Sequence, residues 1–169
     1  MRPTDLYVLL GVIASRGRGG SLRDLATRLH VDHTLVHRAL KNAEGAGLYR
    51  ADERRVNLAS FEELATHAAR FIAPAPLGAL TRGFPAAWAA EPMSALISES
   101  GIEPPPVWPS ARGPKRGQEL RPLHPSAVKA INDERLARLL SIVDSLRAGD
   151  ARVRNVAGTA LSKELRRAS

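Results

Sequence analysis

Residues 21–58, SLRDLATRLHVDHTLVHRALKNAEGAGLYRADERRVNL, constrain the chain more than any other stretch. Ser21 stands three residues before Asp24, the spacing at which an N-cap hydroxyl and a carboxylate exchange hydrogen bonds with a first helical turn. Leu22, Leu25, Ala26 and Leu29 then recur at helical spacing and form one apolar stripe. His30, Val31 and Asp32 make a turn. Asp32 can cap a longer helix running to about Ala46, and Gly47 is a left-handed terminator. Leu48-Tyr49-Arg50 and Arg55-Val56-Asn57-Leu58 alternate apolar with polar residues around Ala51-Asp52-Glu53-Arg54, which predicts a two-stranded hairpin.

A rotation of one hundred degrees per residue divides the longer helix into two faces. Val36, Ala39, Leu40 and Ala43 lie within about a third of its circumference and are expected to pack inward. His33, Thr34, His37, Arg38 and Lys41 lie on a separate arc of about 140 degrees. Each of the five donates hydrogen bonds and none is acidic. A helix that reaches base edges and phosphates needs such a face, because a carboxylate there would be repelled. Arg38 suits bidentate pairing with a guanine edge, Thr34 a phosphate or thymine methyl, and Lys41 a phosphate; His33 and His37 could do either. The hairpin adds Arg50, Arg54 and Arg55, offset in part by Asp52 and Glu53. Ser21 and Arg23, at a helix start with free N–H groups, are candidate phosphate contacts. The competing reading is an ordinary solvated helix face, although such faces usually mix signs.

The order helix, turn, helix, basic hairpin is that of a winged helix-turn-helix. On the run SLRDLATRLHVDHTLVHRALKNAEGAGL, residues 5–60 resemble the winged-helix domain of small bacterial transcription regulators, broadly the MarR-like and ArsR-like groups. The resemblance covers about a third of the chain and implies double-stranded DNA as partner. It does not fix an operator, and fold alone does not fix function. The second half is similar to a group of uncharacterised bacterial helix-turn-helix proteins. The residues that carry this likeness are Leu80-Thr81-Arg82-Gly83-Phe84-Pro85 with Trp88, Val107-Trp108-Pro109, Arg116-Gly117, Pro122-Leu123-His124-Pro125 and the helix LARLLSIVDSLRAGDAR. It carries no assigned chemistry.

Flanking elements follow from the same signals. Thr4 or Asp5 can cap a first helix from about Leu6 to Ser15, ended by Gly17, Gly19 and Gly20. Ser60 to Glu63 is a full S-x-x-E box, predicting a helix from Phe61 to about Ile72 that Pro74 and Pro76 stop. Residues 85–98 suggest one helix broken around Pro92. Residues 103–125, EPPPVWPSARGPKRGQELRPLHP, read as an extended, solvated linker. Its Arg112, Lys115, Arg116 and Arg121, with Arg82, are either an anion-binding arm or a solvated loop. Residues 126–131, 133–148 and 150–167 look helical. The stripe Leu136, Leu139, Leu140, Val143 and Leu146 either closes the domain internally or pairs with a second copy; a homodimer suits a regulator of paired half-sites. The expected class is therefore mainly α: a winged helix-turn-helix at 1–73, a proline-rich, partly irregular connection at 74–125, and a helical, dimerising region at 126–169.

Charge supports a polyanionic partner. The formal charge is +8. Residues 1–60 hold ten Lys/Arg against six Asp/Glu, 61–110 two against five, and 111–169 thirteen against six, so two basic thirds flank an acidic middle. A basic C-terminal half also fits an alternative, an adaptor or antitoxin holding an acidic protein. The absence of cysteine excludes disulfides and thiolate metal sites, an ArsR-like thiolate sensor among them. His33 and His37 have a chelating spacing without an evident third ligand, so neither metal nor cofactor is expected. The glycines of SRGRGGS lack the Lys-Ser/Thr of a phosphate loop. No nucleophile, base and orienting group can be grouped, so the chain reads as non-enzymatic. The apolar run Leu6–Ala14 is too short to span a bilayer, and a cytoplasmic protein with no membrane partner is expected. The combined expectation is a dimeric, sequence-specific DNA-binding regulator, a repressor.

Overall fold

A computed structural model describes residues 1–15, 20–97 and 104–168. Helix α1 (Pro3–Ser15) begins on a proline whose missing N–H is harmless in a first turn, and the Arg2 N–H donates to Asp5 at 2.8 Å. Leu6 to Leu10 are all fully buried, so α1 is apolar nearly all round and runs through the core. Of the glycines expected to end it, Gly17 and Gly19 lie outside the described residues.

Helix α2 (Leu22–Leu29) starts on the reciprocal box that the sequence predicts: the Asp24 N–H donates to Ser21 Oγ at 3.2 Å, and the Ser21 N–H donates to the Asp24 carboxylate at 2.7 Å. His30, left-handed at φ 53°, ends it and donates its N–H to the Ala26 and Thr27 carbonyls. Helix α3 (His33–Gly45) starts where Asp32 Oδ1 accepts the Thr34 N–H at 2.7 Å. Gly47, at φ 71°, turns the chain into β1 (Tyr49–Arg50), which pairs antiparallel with β2 (Arg55–Val56).

Helix α4 (Leu58–His67) corrects the sequence reading. Asn57, not Ser60, is its cap, accepting the Ser60 N–H at 3.3 Å, so the helix begins three residues before Phe61. It also breaks at Ala68 before a separate turn, α5 (Ala69–Ile72). The S-x-x-E spacing lost because β2 ends at Val56 and leaves Asn57 as the first residue able to cap.

The larger correction lies at 103–125. The described part of this segment, 104–125, is not a solvated linker but supplies two strands of a sheet. Strands β3 (Leu80–Pro85), β4 (Pro106–Pro109) and β5 (Lys115–Glu119) pair each with the other two, β3 antiparallel to both and β4 parallel to β5, so the small sheet closes on itself. The helix expected over 85–98 is reduced to a 3-10 turn at Ala87–Ala89 and the short α6 (Met93–Leu96); residues 98–103 lie outside the described residues. Three glycines make the sheet possible. A Cβ on Gly83 would lie 2.1 Å from the Trp108 carbonyl oxygen, on Gly117 2.0 Å from that of Pro105, and on Gly113 2.1 Å from the Gly83 carbonyl carbon.

Residues 125–132 form two 3-10 turns rather than an α-helix. Helices α7 (Glu134–Ala148) and α8 (Ala151–Arg166) follow where the sequence predicts helices, capped by Asp133 and Asp150. The fold is mainly helical. Among the described residues, no helix is long and apolar enough to cross a membrane.

Helix α7 is the axis of assembly, packing on α1, α5, α8 and the 3-10 turn at Ala87–Ala89. Its leucine stripe (Leu136, Leu139, Leu140, Val143, Leu146) is buried within the chain. Of the two fates open to that stripe, internal closure is the one observed. The opposite face, polar in sequence, is buried too. Ser141 Oγ donates to the Glu91 carbonyl at 2.8 Å, and Trp108 Nε1 donates to Asp144 at 2.7 Å. Arg147 pairs with Asp144 and donates to the carbonyls of Ala73 at 2.8 Å and Arg121 at 3.1 Å. Complete burial pushes the Asp144 carboxyl up, while the Arg147 guanidinium and the Trp108 N–H favour its ionised form. The middle segment is thus bonded onto α7, and one apolar core runs through all three segments. The expected boundary near residue 73 falls between elements and that after residue 125 inside the first 3-10 turn, and the core divides at neither.

Candidate nucleic-acid interface

Helix α3 packs on α1, α2 and β1 through Val36, Ala39, Leu40 and Ala43, all buried. That packing fixes what faces out. His33, Thr34, His37, Arg38 and Lys41 are all exposed. Arg23, Arg54 and Arg55 are exposed as well, and among the described residues none of these cations pairs with a carboxylate except His33, whose Nδ1 lies 3.8 Å from Asp32. Of the expected site residues, the structure brings Ser21, His37, Lys41, Arg54 and Arg55 to one groove, while Arg23, His33, Thr34, Arg38 and Arg50 are exposed outside its lining. Between α2, α3 and the hairpin lies an open groove of about 930 Å³, lined among others by Arg28, His37, Lys41, Arg54 and Arg55.

Three features depart from the expected donor-only surface. Ser21 is occupied: its N–H and hydroxyl both serve Asp24, at 2.7 and 2.9 Å, and they hold that carboxyl below the usual range. The start of α2 therefore carries its own anion, and a phosphate would have to displace it. Arg50 is also engaged, pairing with Glu53 at 2.9 Å across the hairpin turn, which leaves Arg54 and Arg55 as the hairpin's free cations. Finally, Glu44 is exposed and lines the groove beside His37 and Lys41. By the same helical arithmetic it falls inside the arc, one turn beyond Lys41. The donor face thus spans the first two and a half turns of α3 and is closed by a carboxylate. Asp32, held ionised by the Thr34 hydroxyl and N–H, marks its other end.

The orientation of the α2–α3 turn is set from the far end of the sequence. Ser126 Oγ donates to the His30 carbonyl at 2.8 Å, and Arg28 pairs with Asp133, the cap of α7. Tyr7 donates to the Leu29 carbonyl at 3.0 Å while its ring stacks on His124, centroids 5.5 Å apart and planes inclined by 12°. Burial, with the Asp133 carboxylate adding to it, pushes the Tyr7 phenol up. His124, Ser126 and Asp133 were not among the expected functional residues. They act across about a hundred positions, and no local pattern signals them.

His124 gives this latch a pH dependence. Burial pushes its imidazole down from the ordinary value, and its Nδ1 accepts the Ser126 N–H at 3.1 Å, which requires that nitrogen unprotonated. The unfolded chain protonates His124 near its ordinary pKa of about 6.5, whereas the folded chain resists until lower pH. The contribution is therefore intact above about pH 6.5 and is lost as pH falls below it. Thermal melts at pH 7 and pH 5 should show a larger drop for the wild type than for His124→Gln. Equal drops would remove His124 from the latch.

Among the described residues, no group of three or more His, Asp or Glu is placed to hold a metal ion. No protein-family model matches the chain, no curated protein matches its sequence, and no solved structure matches its fold.

Proposed function

We propose that the chain is a sequence-specific, double-stranded DNA-binding transcription regulator, built on an N-terminal winged helix-turn-helix. In this reading α3 enters the major groove, and the β1–β2 hairpin lies along the adjacent backbone or minor groove. The observation that carries it is the exposed donor face of α3, whose five side chains project from a helix sealed on its other flank by α1 and α2. Arg38 reads a base edge, Lys41 and the hairpin's Arg54 and Arg55 take phosphates, and His33, Thr34 and His37 fill the space between. The protein acts in the cytoplasm by occupying a promoter, as a repressor. A homodimer on two half-sites fits this role, and with the α7 stripe already covered it would use another surface.

The test is enrichment of duplexes from a random pool by the full-length protein, followed by binding curves on the winner and a scrambled control. Arg38→Ala should cost about 1–3 kcal/mol of discrimination and relax preference at one base position. Lys41→Ala should weaken both duplexes about equally and lower the salt slope by about 1. A pool that yields no preferred sequence, or an Arg38→Ala variant as selective as the wild type, would refute the reading.

A further inference from the structure

The closed sheet carries a charge arrangement that its own folding does not explain. In the β3–β5 register Arg82 stands directly opposite Arg116, with Leu80 opposite Gln118 two pairs further along. Side chains alternate across a strand, and Gly83 and Gly117, the strand neighbours of Arg82 and Arg116, are buried, so the two arginines share the outward face. Both are exposed. Like charges directly opposed on a sheet repel and destabilise it. Among the described residues neither forms an ion pair, although Arg28, Arg138 and Arg147 elsewhere each have a carboxylate. Arg82 Nη1 donates only to the Gly113 carbonyl, at 3.4 Å, which ties the guanidinium to the loop at 110–114. That loop carries Arg112, also exposed and without an ion pair among the described residues. Glu119, the carboxylate on β5, alternates to the other side with Gly117.

We propose that this outward face, built on the opposed pair Arg82 and Arg116 with Arg112 beside it, is a second and sequence-independent seat for the phosphates of duplex DNA. An anion lying between two opposed guanidinium groups converts their repulsion into two attractions, and planar forks match phosphate oxygens. A duplex presents one charge per about 1.7 Å of axis, so a rigid pair of cations finds phosphates at any sequence. Closure leaves no edge to which a peptide could add as a strand, so main-chain pairing cannot support a peptide partner here. The site is separate from α3 and reads no bases. This role rests on the proposed DNA-binding function: the site adds affinity to whatever α3 selects.

The test compares wild type with Arg82→Gln/Arg116→Gln, full length, on a selected and a scrambled duplex over a salt series. Far-UV circular dichroism checks that the exposed substitutions leave the fold intact. Both duplexes should be bound more weakly by a similar factor, on the order of tenfold, with the salt slope reduced by about 2. Arg112→Gln added to the pair should reduce it further. The ratio of selected to scrambled affinity should stay at the wild-type value, whereas the α3 variants change that ratio, so the two readings fail separately. Unchanged affinity and slope on both duplexes would overturn the proposal. So would a loss confined to the selected sequence, or arginine-dependent binding of poly-glutamate with duplex binding unaffected.

Discussion

Asp144→Ala should lower the stability of the protein by about 3–5 kcal/mol, the range for removing one partner of a buried ion pair. For a chain of this size that corresponds to a fall in melting temperature of roughly 6–20 °C. The reason is geometric. Asp144 is completely buried and serves two donors, Trp108 Nε1 from β4 and the Arg147 guanidinium. Without the carboxylate, the Trp108 N–H and the Arg147 Nη1 stay desolvated with nothing to accept them, and the buried guanidinium loses its counter-charge. Arg147→Met should cost at least as much, because the carbonyls of Ala73 and Arg121 lose their donor as well. The double variant Asp144→Leu/Arg147→Met should recover part of the loss, since no buried charge then remains. Urea denaturation with tryptophan fluorescence is the suitable measurement, because Trp108 reports its own N–H contact. A loss below about 1 kcal/mol for Asp144→Ala would mean that water reaches this network and that α7 does not anchor the sheet.

That network also shows why the sequence was legible in one place and not in another. Helices α2 and α3 are written in contacts two to four residues apart: Ser21 with Asp24, Asp32 with Thr34, and the apolar spacing between them. Any reader of spacing recovers them. The middle segment is written in pairs such as Phe84 with Trp108 and Arg82 with Arg116, more than twenty positions apart, and its prolines mimic a linker. Yet a proline only withdraws a donor, and Pro106 and Pro109 still sit opposite Gln118 and Gly83. Helix α7 was half legible. Its leucine stripe announced a core face, but nothing in the spacing told that Ser141, Asp144 and Ser145 are buried as well, with Asp144 holding Trp108 of β4 and Ser141 the Glu91 carbonyl. The candidate interface divides in the same way. The five donors on α3 follow from helical rotation, and so does Glu44, which the same arithmetic places among them. The pairing of Arg50 with Glu53 and the latch from Ser126 to His30 depend on how the chain closes in space.

Gly83→Ala should be among the most damaging small substitutions at the described residues. The added methyl would lie 2.1 Å from the Trp108 carbonyl oxygen and 2.7 Å from its carbon, both backbone atoms that cannot rotate away. The penalty is therefore steric rather than conformational, since left-handed backbone is recorded for Gly47 and not for Gly83. Because β3 and β4 would have to separate, the cost should reach or exceed about 3 kcal/mol, the upper end for overpacked sites. Gly117→Ala should behave alike, its methyl falling 2.0 Å from the Pro105 carbonyl oxygen. Gly45→Ala supplies the contrast. No atom lies within 4 Å of a Cβ there, and the residue closes α3, so alanine should be neutral or stabilising by up to about 1 kcal/mol. Denaturation midpoints of the three variants decide the matter. If Gly83→Ala melts with Gly45→Ala, the sheet is not closed as tightly as Trp108 and Gly83 require. If it is lost while Gly45→Ala stands, close backbone approach is what turns this proline-rich stretch into a folded part of the core.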